Sequence, residues 1–418
     1  MKRPLLMSLY SGAGGLDYGF EAAGFETGVC VEFDAHCCET LRVSRPGWSV
    51  IERSIFDVPT SEMLACCDRS PGEVDLLIGG PPCQPFSKAG YWARGDSMRL
   101  NDPRASTLDA YLRVLEEARP RAFLLENVEG LTFAGKDEGL RLLLDGIAAI
   151  NTRTGSDYKP TLAVLNTASY GVPQLRERVF IIGSRDGKEF RFPAATHRSA
   201  TDKAPTLLDE LCPTESFRNA WDAIGDLAPL PGEDLAVRGK WADLLPSIPE
   251  GNNYLWHTER GGGRPLFGWR RRYWTFLLKL AKDRPSWTIQ AQPGPAVGPF
   301  HWENRRLSTR ELCRLQTFPE DVRVQGPRIA IQRQVGNAVP SLMGEVLGRA
   351  IRTQLLGLAP LRRPLALLPK QRQPVPAPEP LVDVPARYHA MQGVYEAHPG
   401  TGKGYRASNR ATEPSPNA

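Results

Sequence analysis

From Leu5 to Gly183, short apolar runs alternate with helix-like stretches, and this alternation restricts the fold more than any other feature of the chain. Residues 5–10, 28–33, 74–78, 122–125, 162–167 and 179–183 are predicted as strands. They are apolar at consecutive positions instead of every second one, as in "DLLIGG" and "RAFLLENV", which suits a sheet covered on both faces. Helical spacing falls between them, at 35–44 and 107–117 for example. Strand–helix alternation of this kind predicts an α/β fold with a doubly wound, parallel sheet.

At 418 residues the chain is long enough for two or three domains. Residues 1–187 form the first. From 188 to 307 the texture is rich in Pro, Gly, Trp and Arg with little sustained periodicity, which marks a smaller second domain. Helical signals return over 308–358, where Ser308 and Glu311 make an S-x-x-E capping box and another helix begins near Ser341. Residues 360–385 carry a proline every few positions, the last residues are polar, and 359–418 are expected to be a disordered tail. The 52 Lys+Arg against 47 Asp+Glu give a balance of +5, which permits a nucleic-acid partner without requiring one. No apolar run approaches the ~20 residues of a membrane span. The eight cysteines include the vicinal pairs Cys37-Cys38 and Cys66-Cys67 with no C-x-x-C frame, and the six histidines do not cluster. A cytoplasmic protein without disulfides, metal or membrane contact is expected.

Four segments carry chemistry. Ser11-Gly12-Ala13-Gly14-Gly15 follows the first strand, where glycines let a ligand approach the backbone, or simply close a tight turn. The next strand ends in Glu32-Phe33-Asp34, a carboxylate suited to ribose hydroxyls beside a ring that could pack on adenine. Together they favour a nucleoside cofactor, and the glycine spacing is not the G-x-G-x-x-G of NAD enzymes. Gly79-Gly80-Pro81-Pro82-Cys83-Gln84-Pro85 frames Cys83 in a stiff loop, as a nucleophile would need. The alternative is a small buried hydrophobe, against which the prolines argue. Glu126, in Glu126-Asn127-Val128, is a strand-end carboxylate able to act as acid and base, or a cap or surface charge. Arg176 and Arg178 stand two apart, hence on one face of an extended segment, to hold an anionic or carbonyl group or to alternate charge along an edge.

Taken in order, "SGAGG", "PPCQPFS", "ENV", "QLRERVFIIG", "RRLSTRELCRLQTFPED" and "QVGNAVP" resemble the successive motifs of the C5-cytosine DNA methyltransferase family. The resemblance runs from Ser11 to Pro340 and is highly specific as a set. It implies a Rossmann-like methyltransferase sheet and S-adenosylmethionine as cofactor, held by Tyr10, Ser11, Gly12, Ala13, Gly14, Gly15, Glu32 and Phe33, with Ile55, Pro81, Leu108 and Asn337 contributing. The family's usual Asp before Ile55 is Ser54 here, and Asp57 is a carboxylate that could replace it. Cys83 matches the nucleophile, Glu126 the acid/base, and Arg176 and Arg178 the arginines holding the target base.

The resemblance also implies that residues 188–307 recognise double-stranded DNA. Arg270, Arg271 and Arg272 lie in the densest basic–aromatic patch, beside Trp269, Tyr273 and Trp274; the alternative is an amphipathic helix with tryptophans in its core. Gln84, Ser87, Thr288, Gln290 and Arg305 are further expected DNA contacts. A monomer is expected, in a restriction–modification or anti-phage setting. Two other readings share these motifs: a tRNA cytosine-5 methyltransferase, and a catalytically silent nucleic-acid-binding protein. Exchange of residues 188–301 with those of a relative should transfer DNA sequence preference, read by mapping 5-methylcytosine; an unchanged preference would refute the assignment of that region.

Overall fold

The computed structural model describes residues 3–82, 106–132, 138–199, 214–270 and 273–394. Its centre is a seven-stranded sheet of β1 (Leu5–Leu9), β2 (Glu26–Glu32), β3 (Ser49–Glu52), β4 (Leu76–Gly79), β5 (Ala122–Val128), β6 (Thr161–Asn166) and β8 (Glu177–Ser184), with the short β7 (Gln174–Leu175) just before β8. The spatial order is β3-β2-β1-β4-β5-β8-β6. Neighbours are parallel from β3 through β5, and β8 runs antiparallel to both β5 and β6. The fold is therefore the predicted doubly wound α/β sheet. Strand β3 was not foreseen: Val50 and Ile51 are its only apolar residues, and an edge strand needs no more.

Consecutive residues of the central strands enter opposite cores. Met7, Leu77, Phe123, Leu125 and Ile181 pack on one face, while Leu6, Leu76, Leu124, Phe180 and Ile182 pack on the other. That is the strand period of two with both faces covered. The first face is covered by α4 (Ser106–Ala118) and α5 (Glu138–Thr154), through Tyr111, Val114, Ile147 and Ile150. Helices α1 (Gly15–Ala22) and α9 (Ser341–Gln354) cover the second through Phe20, Met343, Leu347 and Ile351.

Between β8 and α7 (Thr309–Leu315) the described residues make only short elements, including α6 (Ala220–Ile224), and α8 (Arg328–Asn337) then precedes α9. The capping box is present as expected: Ser308 Oγ accepts the Glu311 N–H, and Glu311 accepts the Ser308 N–H. A separate small core gathers Leu244, Leu245, Ile248, Tyr254, Leu266 and Phe300.

The expected disorder after 358 requires correction for residues 359–394, which lie against the protein surface. Proline removes backbone donors, so such a segment needs few partners, and side chains supply them. The fully buried Glu345 accepts the N–H groups of Ala366 (2.8 Å) and Leu367 (2.9 Å). Residues 395–418 lie outside the described residues.

Helices α1 and α9 meet through small residues. A β-carbon on Gly19 would strike the Ser341 carbonyl oxygen and stand 2.6 Å from the Gly344 Cα, and one on Gly348 would stand 2.7 Å from the Ala23 β-carbon. Gly19→Ala gains about 1 kcal/mol of helix propensity. Overpacking against backbone costs about 1–3 kcal/mol, so the net change should be destabilising and visible as a lower Tm in thermal unfolding.

Candidate active site

Strand β1 lies between β2 and β4, so the winding reverses there and a crevice opens at the carboxyl ends of β1 and β4. After β1 the backbone turns through Tyr10, whose φ of 54° is uncommon for a bulky residue. Its hydroxyl donates to the Thr107 carbonyl at 2.8 Å, tying the loop to α4. A β-carbon on Gly12 would meet nothing within 4 Å among the described residues, whereas one on Gly14 would strike Leu41 and Tyr18. Gly12 thus faces open space while Gly14 serves packing. Glu32, at the end of β2, accepts three backbone N–H groups: Gly12 (2.8 Å), Phe33 (2.9 Å) and Asp34 (2.9 Å). Burial raises its pKa and these bonds oppose the rise. A carboxylate offers about four acceptor sites, so one remains. The Phe33 ring beside it is 69% exposed.

The other residues expected at this end are placed unequally. Ala13, Ile55 and Leu108 are buried in the apolar cores, Asp57 is exposed, and Asn337 ends α8 with its side chain outward. Pro81 is buried, and its carbonyl accepts from Asn127 Nδ2 at 3.3 Å.

Glu126 lies in β5 opposite Phe180, which places it diagonally across from Arg178 on β8. Arg178 Nε contacts Glu126 Oε1 at 3.0 Å, both side chains being largely buried. A β-carbon on Gly80 would be 3.1 Å from Glu126 Oε2, so the loop after β4 runs directly past this carboxylate. Arg176 is almost wholly buried, and its Nη2 donates to the carbonyls of Gly336 (3.0 Å) and Asn337 (3.3 Å) at the end of α8. Its Nε and Nη1 are buried and meet no hydrogen-bond partner among the described residues. Burial pushes the Glu126 carboxyl above its usual range, against the pull of Arg178 and Arg176. Cys83, Gln84 and Ser87 lie outside the described residues.

The chain matches the family model described as C-5 cytosine-specific DNA methylase over residues 5–353. It belongs to the C5-cytosine DNA methyltransferase family. It is 42% identical over 372 residues to the Type II methyltransferase M.SacI of Streptomyces achromogenes, covering 84% of this chain and 93% of that one. It is 32% identical over 355 residues to the Type II methyltransferase M1.HphI of Haemophilus parahaemolyticus, covering 82% and 86%. The fold is shared with the crystal structure of a Spodoptera frugiperda DNMT2 mutant (TM-score 0.57, 15% identity, covering 83% of this chain and 99% of that one). It is also shared with the Entamoeba histolytica methyltransferase EhMeth (TM-score 0.56, 13% identity, covering 85% and 99%). The chain is thus a DNA (cytosine-5) methyltransferase, which sets aside the tRNA and silent readings.

In this methyltransferase the expected DNA contacts divide sharply. Trp269, Tyr273 and Trp274 are 42%, 44% and 37% exposed, and Arg260 stacks over Trp269 at 4.3 Å. No amphipathic helix forms around them among the described residues. Arg270 is half-buried, its carbonyl accepting from the Tyr254 hydroxyl, and Arg271 and Arg272 lie outside the described residues. Arg305 is engaged internally: it grips Glu311 with both Nη atoms (2.9 and 2.8 Å) and Glu303 with Nε (2.9 Å). Thr288 is likewise used within the fold, donating to the Leu175 carbonyl at 2.7 Å. The Gln290 carbonyl accepts from Gln332 on α8 at 2.6 Å.

Three residues gained roles that single motifs did not announce. Asn127 fixes the loop after β4 through Pro81. Gln174, fully buried, joins Gln316 (3.0 Å) and the Leu315 carbonyl (3.3 Å) to the Ile289 N–H (3.2 Å). Asp34 caps α2 (Ala35–Ser44) and pairs with Arg333 of α8. The signal for Asp34 was available, since an Asp just before a helix is a standard cap.

Behind the glycine loop, Asp17 is buried, and burial pushes its pKa up to about 6 against its bonds to Ser8 and Cys30. The folded state therefore holds its proton more tightly than the unfolded state does, and this contribution to stability is lost as pH rises through about 6. Denaturant unfolding between pH 4 and 8 should show the wild type losing stability with rising pH relative to Asp17→Asn; parallel curves would contradict it.

Proposed function

We propose that the chain transfers a methyl group from S-adenosylmethionine to C5 of a cytosine flipped out of a specific duplex site, as the modification enzyme of a Type II restriction–modification system. The observation that carries this reading is the pairing of Glu126 with Arg178 beside the Gly80 backbone, with buried Arg176 nitrogens that meet no partner among the described residues close behind. The cofactor fits the opposite side of the crevice: the open space over Gly12, the remaining acceptor site on Glu32 and the exposed Phe33 ring suit a ribose and an adenine. Bound there, the cofactor supplies an electrophilic methyl group on a sulfonium.

The protein's own part is to make C5 nucleophilic. Addition of the Cys83 thiolate at C6 turns the ring into an enamine whose C5 carries the electron density. Glu126, with its raised pKa, donates a proton or hydrogen bond to N3 and absorbs the developing charge. Arg178 stabilises the same charge at the O2 carbonyl. After methylation a base removes the C5 proton, and the electron pair returns to expel Cys83. A stacked duplex hides these atoms, so the base must be extruded. Recognition of the duplex is assigned to the exposed Trp269, Tyr273 and Trp274 and the arginines around them. Arg305 and Thr288 are left out of that surface because the fold already uses them.

Cys83→Ala should abolish methyl transfer to cognate DNA while leaving cofactor affinity within about twofold of wild type. Only the wild type should form a covalent adduct with a 5-fluorocytosine substrate. Glu126→Gln should bind DNA and lose about 10²–10⁴-fold in rate, the usual share of a general acid. Near-wild-type turnover by either variant would remove that residue from the mechanism.

A further inference from the structure

Residues 359–394 lie beyond the region matched by the family model, which ends at 353. They touch the parts of the protein in succession. Next to α9, Arg363 donates to the Ala22 carbonyl (2.7 Å), and Glu345 accepts from Ala366 and Leu367. At α6 the Arg372 N–H donates to Asp222 (2.7 Å), and its guanidinium pairs with Asp226 (2.7 Å). Farther on, Lys282 is 3% exposed and lies between Glu250 (2.7 Å) and Glu379 (2.8 Å). The Glu379 N–H donates to the same Glu250.

The segment then enters the small core of the 188–307 region. Tyr388 is 3% exposed, stacks on Trp241 with centroids 5.6 Å apart, and donates to Asp243 (2.6 Å). It is a member of the core formed by Leu244, Ile248, Tyr254 and Leu266. The segment ends at the basic–aromatic patch: Gln392 accepts from Arg264 at 3.0 Å, and the Gly393 N–H donates to the Pro265 carbonyl at 3.3 Å. A stretch that is irregular up to the 3-10 helix Ala386–Met391 thus has one end on α9 and the other inside a core whose remaining buried members come from residues 244–300.

We propose that residues 359–394 form a strap that sets the position of the DNA-recognition portion on the catalytic portion, with Tyr388 as a positioning residue for target recognition. The inference rests on reading residues 188–307 as the DNA-recognition portion. Proline stiffens the strap and lowers the entropy lost in laying it down, so its anchors act at a nearly fixed span. Releasing either anchor leaves the chemistry intact and loosens the angle at which DNA is presented to it.

The test uses the full chain with cognate and near-cognate duplexes. Tyr388→Ala should raise KM for cognate DNA about tenfold and reduce discrimination between the two duplexes by a similar factor, with KM for S-adenosylmethionine changed less than about twofold. Tyr388→Phe, which keeps the stacking ring, should restore most of both. A second variant, Arg372→Ala with Glu379→Ala, spares the small core and removes two anchors; it should shift the same two quantities by about threefold. Wild-type KM for DNA and wild-type discrimination in both strap variants, with only Tm lowered, would overturn the proposal. Trp269→Ala with Tyr273→Ala separates the two layers of inference. If that variant leaves KM for DNA unchanged, the recognition reading itself fails. If it raises KM while the strap variants do not, the strap alone fails.

Discussion

The close crossing of α1 and α9 is the contact on which the site depends. The catalytic sheet is complete in sequence by Ser184, yet it is not complete in function there. Gly336 and Asn337 supply the carbonyls that hold Arg176, and Arg333 holds Asp34, all from α8 immediately before α9. These groups arrive at the crevice only if α9 lies flat on α1. Gly19 and Gly344 permit that approach, and side chains at either position would push the helices apart. A packing constraint on the back of the sheet therefore governs electrostatics at its carboxyl edge.

That edge concentrates charge where water is scarce. Glu126, Arg176 and Arg178 are all largely buried, and desolvating such groups costs several kcal/mol each unless they are paired. Glu126 and Arg178 offset each other at 3.0 Å. Among the described residues Arg176 finds partners on one nitrogen only, which leaves buried donor capacity there. An arrangement this costly is a poor way to stabilise a fold, which supports the proposed role of these side chains in holding a polar ring.

Much of this was legible in the sequence. Consecutive apolar residues announced buried strands, and motif order placed the glycine loop, Glu126 and the paired arginines. What escaped has physical reasons. Strand β3 has two apolar residues and borrows its identity from β2. Arg305 reads as a free cation because its partner, Glu311, becomes a neighbour only through the capping turn at Ser308. The tail reads as disorder because composition reports the absence of helix and strand, not of anchorage; Glu345, Asp222 and Lys282 lie far away in sequence and supply it.

The membership of Tyr388 in the small core has a consequence for inheritance. If the small core belongs to the DNA-recognition portion, as proposed, a specificity module assembled from two separated stretches of chain does not travel as one uninterrupted piece of coding sequence. Recombination that replaced the central stretch alone would pair a new core with an old aromatic plug. Lineages acquiring new target sites on this scaffold are therefore expected to change both stretches together, or to accept a plug that fits many cores.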